Sequence, residues 1–209
     1  MIDSLRCVND HGETWLVASF REVANRFVIE GTLGCPICSA EYQISNGVAD
    51  FTLGVRTLDH ANERATAEHS REELATRAGA FLDATQPGAT IVLGGLWSLG
   101  AAELAQMADV RVIAINPPPG VHESERVGVV RIAGRIPLAR GSAHGVALDE
   151  WFDPEIIEAA QRVVKPGGRV VGPASFPHPA DATVLAHDDA YWVAEKPVEM
   201  IPLQRAKAP

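Results

Sequence analysis

The chain has 209 residues, 46% hydrophobic and 22% charged, enough to bury a core as one large domain or two small ones. A formal net charge of −9 disfavours broad nucleic-acid binding or attachment to an acidic membrane, and the most apolar stretch, 89–102, is too short and glycine-rich to span a bilayer. Three cysteines and a polar start without a signal-peptide run suit a reducing compartment, so the cytoplasm is the expected location.

Residues 1–54 read as short strands and turns. Residues 14–20 and 26–30 carry β-branched and aromatic side chains, 31–38 form a turn, and 41–44 run extended into Ser45-Asn46-Gly47. So few large apolar groups would make this segment marginal alone, and a metal staple would compensate. Cys7, His11, Cys35 and Cys38 supply one, as two knuckles offering three thiolates and an imidazole to a structural zinc ion. Asp10 is an alternative fourth ligand, and His11 is favoured because nitrogen suits a thiolate-rich site better than a carboxylate oxygen. Two other readings of the cysteines are a redox pair, which normally opens a helix rather than the alternating segment 39–44, and plain buried thiols.

From 58 to 84 the sequence is rich in Ala, Glu and Arg. Leu74, Ala78, Phe81 and Leu82 fall on one face, which predicts a connecting helix within 55–85. Strands and helices then alternate: strands at 90–93, 110–115, 127–132, 145–148 and 169–171, and a helix at 98–107 capped by Ser98. A second helix opens with Asp153-Pro154 and ends at Val164. Lys165-Pro166-Gly167-Gly168 reads as the turn into the fifth strand, and 184–186 with 191–194 as a closing antiparallel hairpin. The loops at 117–126 and after the fifth strand are too proline-rich for ordinary crossover helices. The tail from Pro197 reads as extended. Residues 58–197 are expected to hold a core of their own.

The segments IPLARGSAHGVALDEW (136–151) and DPEIIEAAQRVVKPGGRVVGPA (153–174) resemble the second half of class I S-adenosylmethionine-dependent methyltransferases. The likeness spans about 89–197. The Cys-Pro-Ile-Cys knuckle, with Tyr42 to Phe51 after it, is similar to the N-terminal zinc ribbons of some ribosomal-RNA guanine methyltransferases. It is similar also to the Trm112-like ribbons that accompany other methyltransferases. The fold class expected is therefore α/β: a small β-rich zinc ribbon (1–54), the connecting helix (55–85) and a reduced Rossmann-like methyltransferase domain (86–209).

The resemblance places the cofactor at Gly94, Gly95 and Gly100 after the first strand and Asn116 at the end of the second. Asp149, at the end of the fourth, is either a cofactor residue where α/β folds hold their ligands or, with Glu150, part of a solvated loop before Asp153. These positions depart from the family pattern. Gly94 stands where an acid is usual, Leu96 and Ser98 where glycines are, and Asn116 where an acid would accept the ribose hydroxyls. Trp97 is expected to crowd the turn. His144 is either a strand-edge residue, the favoured reading, or a general base. Two functions follow. One is a degenerate methyltransferase-fold protein, non-catalytic and acting through a protein partner. The other is an active S-adenosylmethionine-dependent methyltransferase on a small molecule or RNA. The altered contacts favour the first and predict weak or absent cofactor binding.

Overall fold

The structure is a computed structural model and describes residues 2–25, 27–55 and 70–198. The segment 56–69, which carries the first half of the expected connecting helix, and the tail from residue 199 lie outside the described residues.

Buried apolar runs place the centre of the molecule. Ile91-Val92-Leu93, Val112 to Ile115 and Val127 to Val130 are almost fully buried, as strands covered on both faces must be. They form β5 (Thr90–Gly94), β6 (Arg111–Ile115) and β7 (Val127–Ile132). These pair in parallel with one another and with β8 (Ala143–Ala147) and β9 (Val164–Pro173), in the order β7-β6-β5-β8-β9. Counted along the chain from β5 this is third, second, first, fourth, fifth, a doubly wound sheet whose strand order reverses between β5 and β8. The expected closing hairpin is present as β10 (Thr183–His187) and β11 (Tyr191–Glu195), and β11 runs antiparallel to β9.

The N-terminal strands extend this same sheet. β1 (Val17–Ala24), β2 (Phe27–Gly34), β3 (Glu41–Ser45) and β4 (Val48–Phe51) form an antiparallel meander, and β4 then pairs in parallel with β7. Among the described residues the result is one sheet of eleven strands.

Side-chain alternation divides the core in two. Ile91, Leu93, Val112, Ala114, Val127 and Val129 face helices α1 (Arg71–Phe81) and α2 (Ala101–Met107). Val92, Ile113, Ile115, Val130 and Ile132 face α3 (Pro154–Val163) on the other side. This second face also takes Leu5, Leu33, Tyr42, Ile44 and Phe51, so the ribbon covers apolar surface that the proline-rich loops leave without helices.

Three local expectations need correction. Residues 95–100 form a 3-10 turn, and the α-helix starts only at Ala101. The Ser98 hydroxyl is buried and donates to the Gly95 carbonyl instead of capping the helix. Lys165 to Gly168 are not a turn before a strand but a bulge inside β9, which advances from Val164 to Arg169 while β8 advances from Ala143 to Gly145. There Gly167 has φ +75° and donates to the Lys196 carbonyl at 2.8 Å, and a side chain on Gly168 would strike the His144 carbonyl. The Asp153 side chain makes no capping bond, although Pro154 does open α3.

Of the two core clusters, the one on the α1 and α2 side is built from residues 74–193, as expected for 58–197, whereas the other is shared with the ribbon. Burying Leu5, Leu33, Tyr42, Ile44 and Phe51 at about 1.5–3 kcal/mol each stabilises the fold by roughly 10 kcal/mol, comparable with a whole domain's net stability. Deleting residues 1–54 should therefore give a product without a cooperative thermal transition and with strong binding of a hydrophobic dye. A sharp transition near that of the full chain would show the ribbon to be dispensable.

Candidate functional site

Two places bring together the residues that sequence reasoning singled out. The first is at the N-terminal ribbon. The chain turns back after residue 7, a short bridge pairs Arg6 with Trp15, and the tight turn after β2 carries Cys35 and Cys38. Cys7, His11, Cys35 and Cys38 each present one ligand atom, all within 4.8 Å of one another. The Sγ atoms of Cys7 and Cys38 are 3.6 Å apart. His11 Nε2 lies 3.2 Å from Cys7 Sγ and 3.4 Å from Cys35 Sγ. A tetrahedral zinc ion with sulfur and nitrogen at their usual bond lengths requires separations of about 3.8 Å (S to S) and about 3.5 Å (S to N). The donor set fits. Asp10 does not take part: its carboxylate is turned to solvent and pairs with Arg135 at 3.2 Å.

The surroundings prepare these ligands. The Ala40 N–H, with smaller contributions from Asn9 and the neighbouring ligands, holds the Cys38 thiol down at about 6, whereas burial pushes the Cys7 thiol up. His11 Nδ1–H donates to the Gly12 carbonyl at 2.7 Å, which raises the imidazole's basicity and leaves Nε2 as the ligating nitrogen. Two further groups were not foreseen. The Tyr42 hydroxyl lies 3.0 Å from Cys7 Sγ, and the Asn9 side-chain amide donates to Cys38 Sγ at 3.3 Å. Neither carries a signal in the sequence, since Tyr42 reads simply as an inward-facing strand residue.

The second place is the carboxyl end of the parallel strands, at the switch between β5 and β8, where open α/β sheets hold their ligands. Asp149 is buried there, and its carboxylate turns inward. Its Oδ2 accepts from the Leu96 N–H at 2.5 Å and its Oδ1 from the Trp151 N–H at 3.1 Å. Gly95, at φ +58°, leaves the space the carboxylate fills, because a side chain there would collide with both oxygens. Gly94 likewise makes room for Leu148 and Phe152. Gly100 faces the backbone of α1 at Arg71 and Ala75, so its lack of a side chain serves helix packing.

Asn116 also points inward. At φ +45° it ends β6, and three prolines follow that cannot donate to the ladder. Its side chain continues the ladder instead: Nδ2 donates to the Ile132 carbonyl at 2.9 Å, and Oδ1 accepts from the Ile132 N–H at 2.9 Å. Trp97 does not crowd the turn. It is buried on the α1 face, with ring centroids 4.9 Å from Tyr191 and 6.2 Å from Phe81. His144 sits at the opposite, amino end of β8, about 16 Å of strand away from Asp149, bonded to the Gln86 side chain at 2.6 Å. It and Asp149 share no site.

No protein-family model matches the chain, and no curated protein matches it. Solved structures do. A proposed S-adenosyl-L-methionine-dependent methyltransferase of Methanococcus maripaludis is 12% identical over 69% of this chain and 92% of that one, with a TM-score of 0.45. The antibiotic-resistance methyltransferase Kmr is 14% identical over 64% of this chain and 95% of that one, with a TM-score of 0.42. A complex of the Haloferax volcanii Trm112 methyltransferase activator with a proposed methyltransferase contains a chain 19% identical over 52% of this chain and 54% of that one, with a TM-score of 0.42. The chain spans about half the length of several structures it matches. Strand order, parallel centre and closing antiparallel hairpin together make this a reduced class I methyltransferase-like fold, preceded by a β-rich segment with a Cys/His cluster.

Burial outweighs the two N–H donors at Asp149 and pushes its carboxyl from 3.8 up to about 7. Between about pH 4 and 7 the folded protein keeps this proton while the unfolded chain has lost it, so stability falls as pH rises through that window and is level above it. Asp149→Asn removes the titration. Its stability relative to the unaltered protein should therefore rise by roughly 1–3 kcal/mol between pH 5 and pH 8 in denaturant titrations. A difference independent of pH would show that Asp149 is ionised throughout.

Proposed function

We propose that this chain is a degenerate methyltransferase-fold protein, non-catalytic, carrying a structural zinc ribbon and acting through a protein partner. One observation carries the reading: both polar side chains best placed to hold the cofactor are spent on the protein's own backbone. Asp149 accepts from Leu96 and Trp151, and Asn116 both donates to and accepts from Ile132. A ligand carboxylate or ribose would have to displace these bonds, and leaving a buried donor or acceptor unmade costs about 1–3 kcal/mol each time.

Exposed apolar surface beside the ribbon supports a protein partner. Trp15 is 73% exposed, and Val17 and Ile37 are also open to solvent. Trp15, Val17 and Pro36 line a shallow, open cleft of about 470 Å³. β1 next to it is a terminal strand of the sheet with Phe20 and Val23 exposed. Thiolate ligation suits a reducing compartment, consistent with the cytoplasm. Among the described residues no helix is long and apolar enough to cross a membrane.

Calorimetric titration with S-adenosylmethionine and S-adenosylhomocysteine tests the reading. Losing one charge-assisted ribose contact alone weakens binding by about one to two powers of ten, so affinity should be high micromolar or weaker. Low-micromolar binding of either compound would favour the active enzyme, with Asn116 released to the ribose and Asp149 nearest the chemistry.

Zinc in the ribbon is tested separately, by elemental analysis of protein purified without chelator. One zinc ion per chain is expected, lost in His11→Ala and kept in Asp10→Ala. Protein free of zinc would end this part of the reading, and loss in Asp10→Ala alone would reassign the fourth ligand.

A further inference from the structure

Counting donors around the ribbon's sulfurs leads further. A phenol has one proton and two lone pairs. The Val8 N–H donates to the Tyr42 oxygen at 3.3 Å, which uses one lone pair, and Cys7 Sγ lies 3.0 Å away on the other side. Among the described residues no other acceptor contacts that oxygen, so the phenolic proton is directed at Cys7 Sγ, which accepts it. The ring cannot swing away: it is buried and stacked on Phe51 with centroids 4.4 Å apart and planes inclined by 28°. On the opposite side of the cluster the Asn9 amide, which can only donate from nitrogen, points at Cys38 Sγ at 3.3 Å. The Gly12 carbonyl can only accept, so the proton of His11 sits on Nδ1 and the Nε2 lone pair faces Cys7 and Cys35. The Tyr42 and Asn9 donors thus meet the sulfurs as acceptors, and the Gly12 carbonyl takes the His11 Nδ1 proton and frees Nε2, the arrangement that ligands bound to a cation require.

We infer that Tyr42 is a positioning residue of the metal centre, its hydroxyl holding the Cys7 sulfur as an aligned thiolate, with Asn9 doing the same for Cys38. The inference rests on the zinc reading of the cluster and adds to it the groups outside the ligand set that govern how tightly the ion is held. Tyr42 also sits on β3, one strand from β4, so the phenol joins the metal centre to the strand through which the ribbon enters the main sheet.

The test uses the full chain loaded with Co²⁺, whose sulfur-to-metal charge-transfer band reports on the thiolates, followed by competition with Zn²⁺. Tyr42→Phe keeps the ring and its stacking and removes only the hydroxyl. It should still bind one metal ion, with affinity about tenfold lower and the charge-transfer band moved to longer wavelength, because a sulfur relieved of a hydrogen bond gives up its electrons more readily. Asn9→Ala should move the band in the same direction, and this variant lies on a surface turn, clear of the core. Phe51→Leu disturbs the same packing without touching a sulfur, and should lower the melting temperature while leaving the band in place. An unchanged band and affinity in Tyr42→Phe and Asn9→Ala would overturn the inference while leaving the metal site standing. A shift in Phe51→Leu equal to that in Tyr42→Phe would overturn it too, by showing that packing alone is responsible. If the unaltered protein takes up neither Co²⁺ nor Zn²⁺, the zinc reading itself fails, and the inference with it.

Discussion

Four residues of parallel ladder, Val48 to Phe51 on Val129 to Ile132, join the ribbon to the sheet, and much else depends on them. Without β4, β7 would be an edge strand, and its backbone groups would be open to pairing with another chain. Its face on the α3 side would be bare as well, since the segment 117–126 supplies no helix among the described residues. The ribbon remedies both. Its strand closes the edge, and Leu33, Tyr42, Ile44 and Phe51 cover the face shared with α3. The α3-side core is thus completed by the N-terminal strands where the short, proline-rich connection supplies no helix.

That economy bears on the carboxyl end of the strands. A short proline-rich connection between β6 and β7 removes donors from the ladder, and Asn116 replaces them with its own amide. The short turn after β5 leaves the Leu96 N–H pointing into a dry site, and Asp149 satisfies it. Each substitution follows from the need to pair buried backbone groups. Each also occupies a side chain that is, on the proposed reading, among those best placed for a cofactor.

Local chemistry made part of this legible in the sequence. Continuous apolar runs such as Ile91 to Leu93 announce strands buried on both faces, Asp153-Pro154 announces the start of α3, and Cys35-Pro36-Ile37-Cys38 announces a knuckle, with Cys7 and His11 as its partners. What escaped is non-local. Nothing in Val48 to Phe51 states that it will pair with a strand some eighty residues later. Asp149 reads equally well as a solvated loop acid until the Gly95 turn is folded against it. Ser98 looked like a cap because cap and buried turn hydroxyls are chemically the same group, and only the backbone path tells them apart. Trp97 reads as crowding the turn because nothing local announces that the 3-10 turn packs its ring on Phe81 and Tyr191.

The metal centre and the core are mechanically one unit. Residues 4–6, just before Cys7, bond the loop that precedes β8: the Arg6 N–H donates to Pro137 and the Ala139 N–H to Ser4, each at 2.9 Å, with Leu5 buried beside Leu138. Glu13, just after His11, pairs with Arg6 at 3.6 Å and reaches Arg162 of α3 at 3.3 Å. The ligand segment is therefore held between contacts to the main sheet on both sides. Exposed ion pairs of this kind contribute little individually, and Leu5 alone is worth about 1.5–3 kcal/mol. Ligation of the proposed zinc ion at Cys7 and His11 would remove the conformational freedom that opposes these weak contacts, at about 1–2 kcal/mol for each residue ordered. A segment with too little apolar surface to fold alone can then act as a lid on the core, provided that its two ends are clasped. On the proposed zinc reading the metal would be that clasp, and Leu5, Leu33, Tyr42, Ile44 and Phe51 are the apolar side chains that give the ribbon its place in the fold.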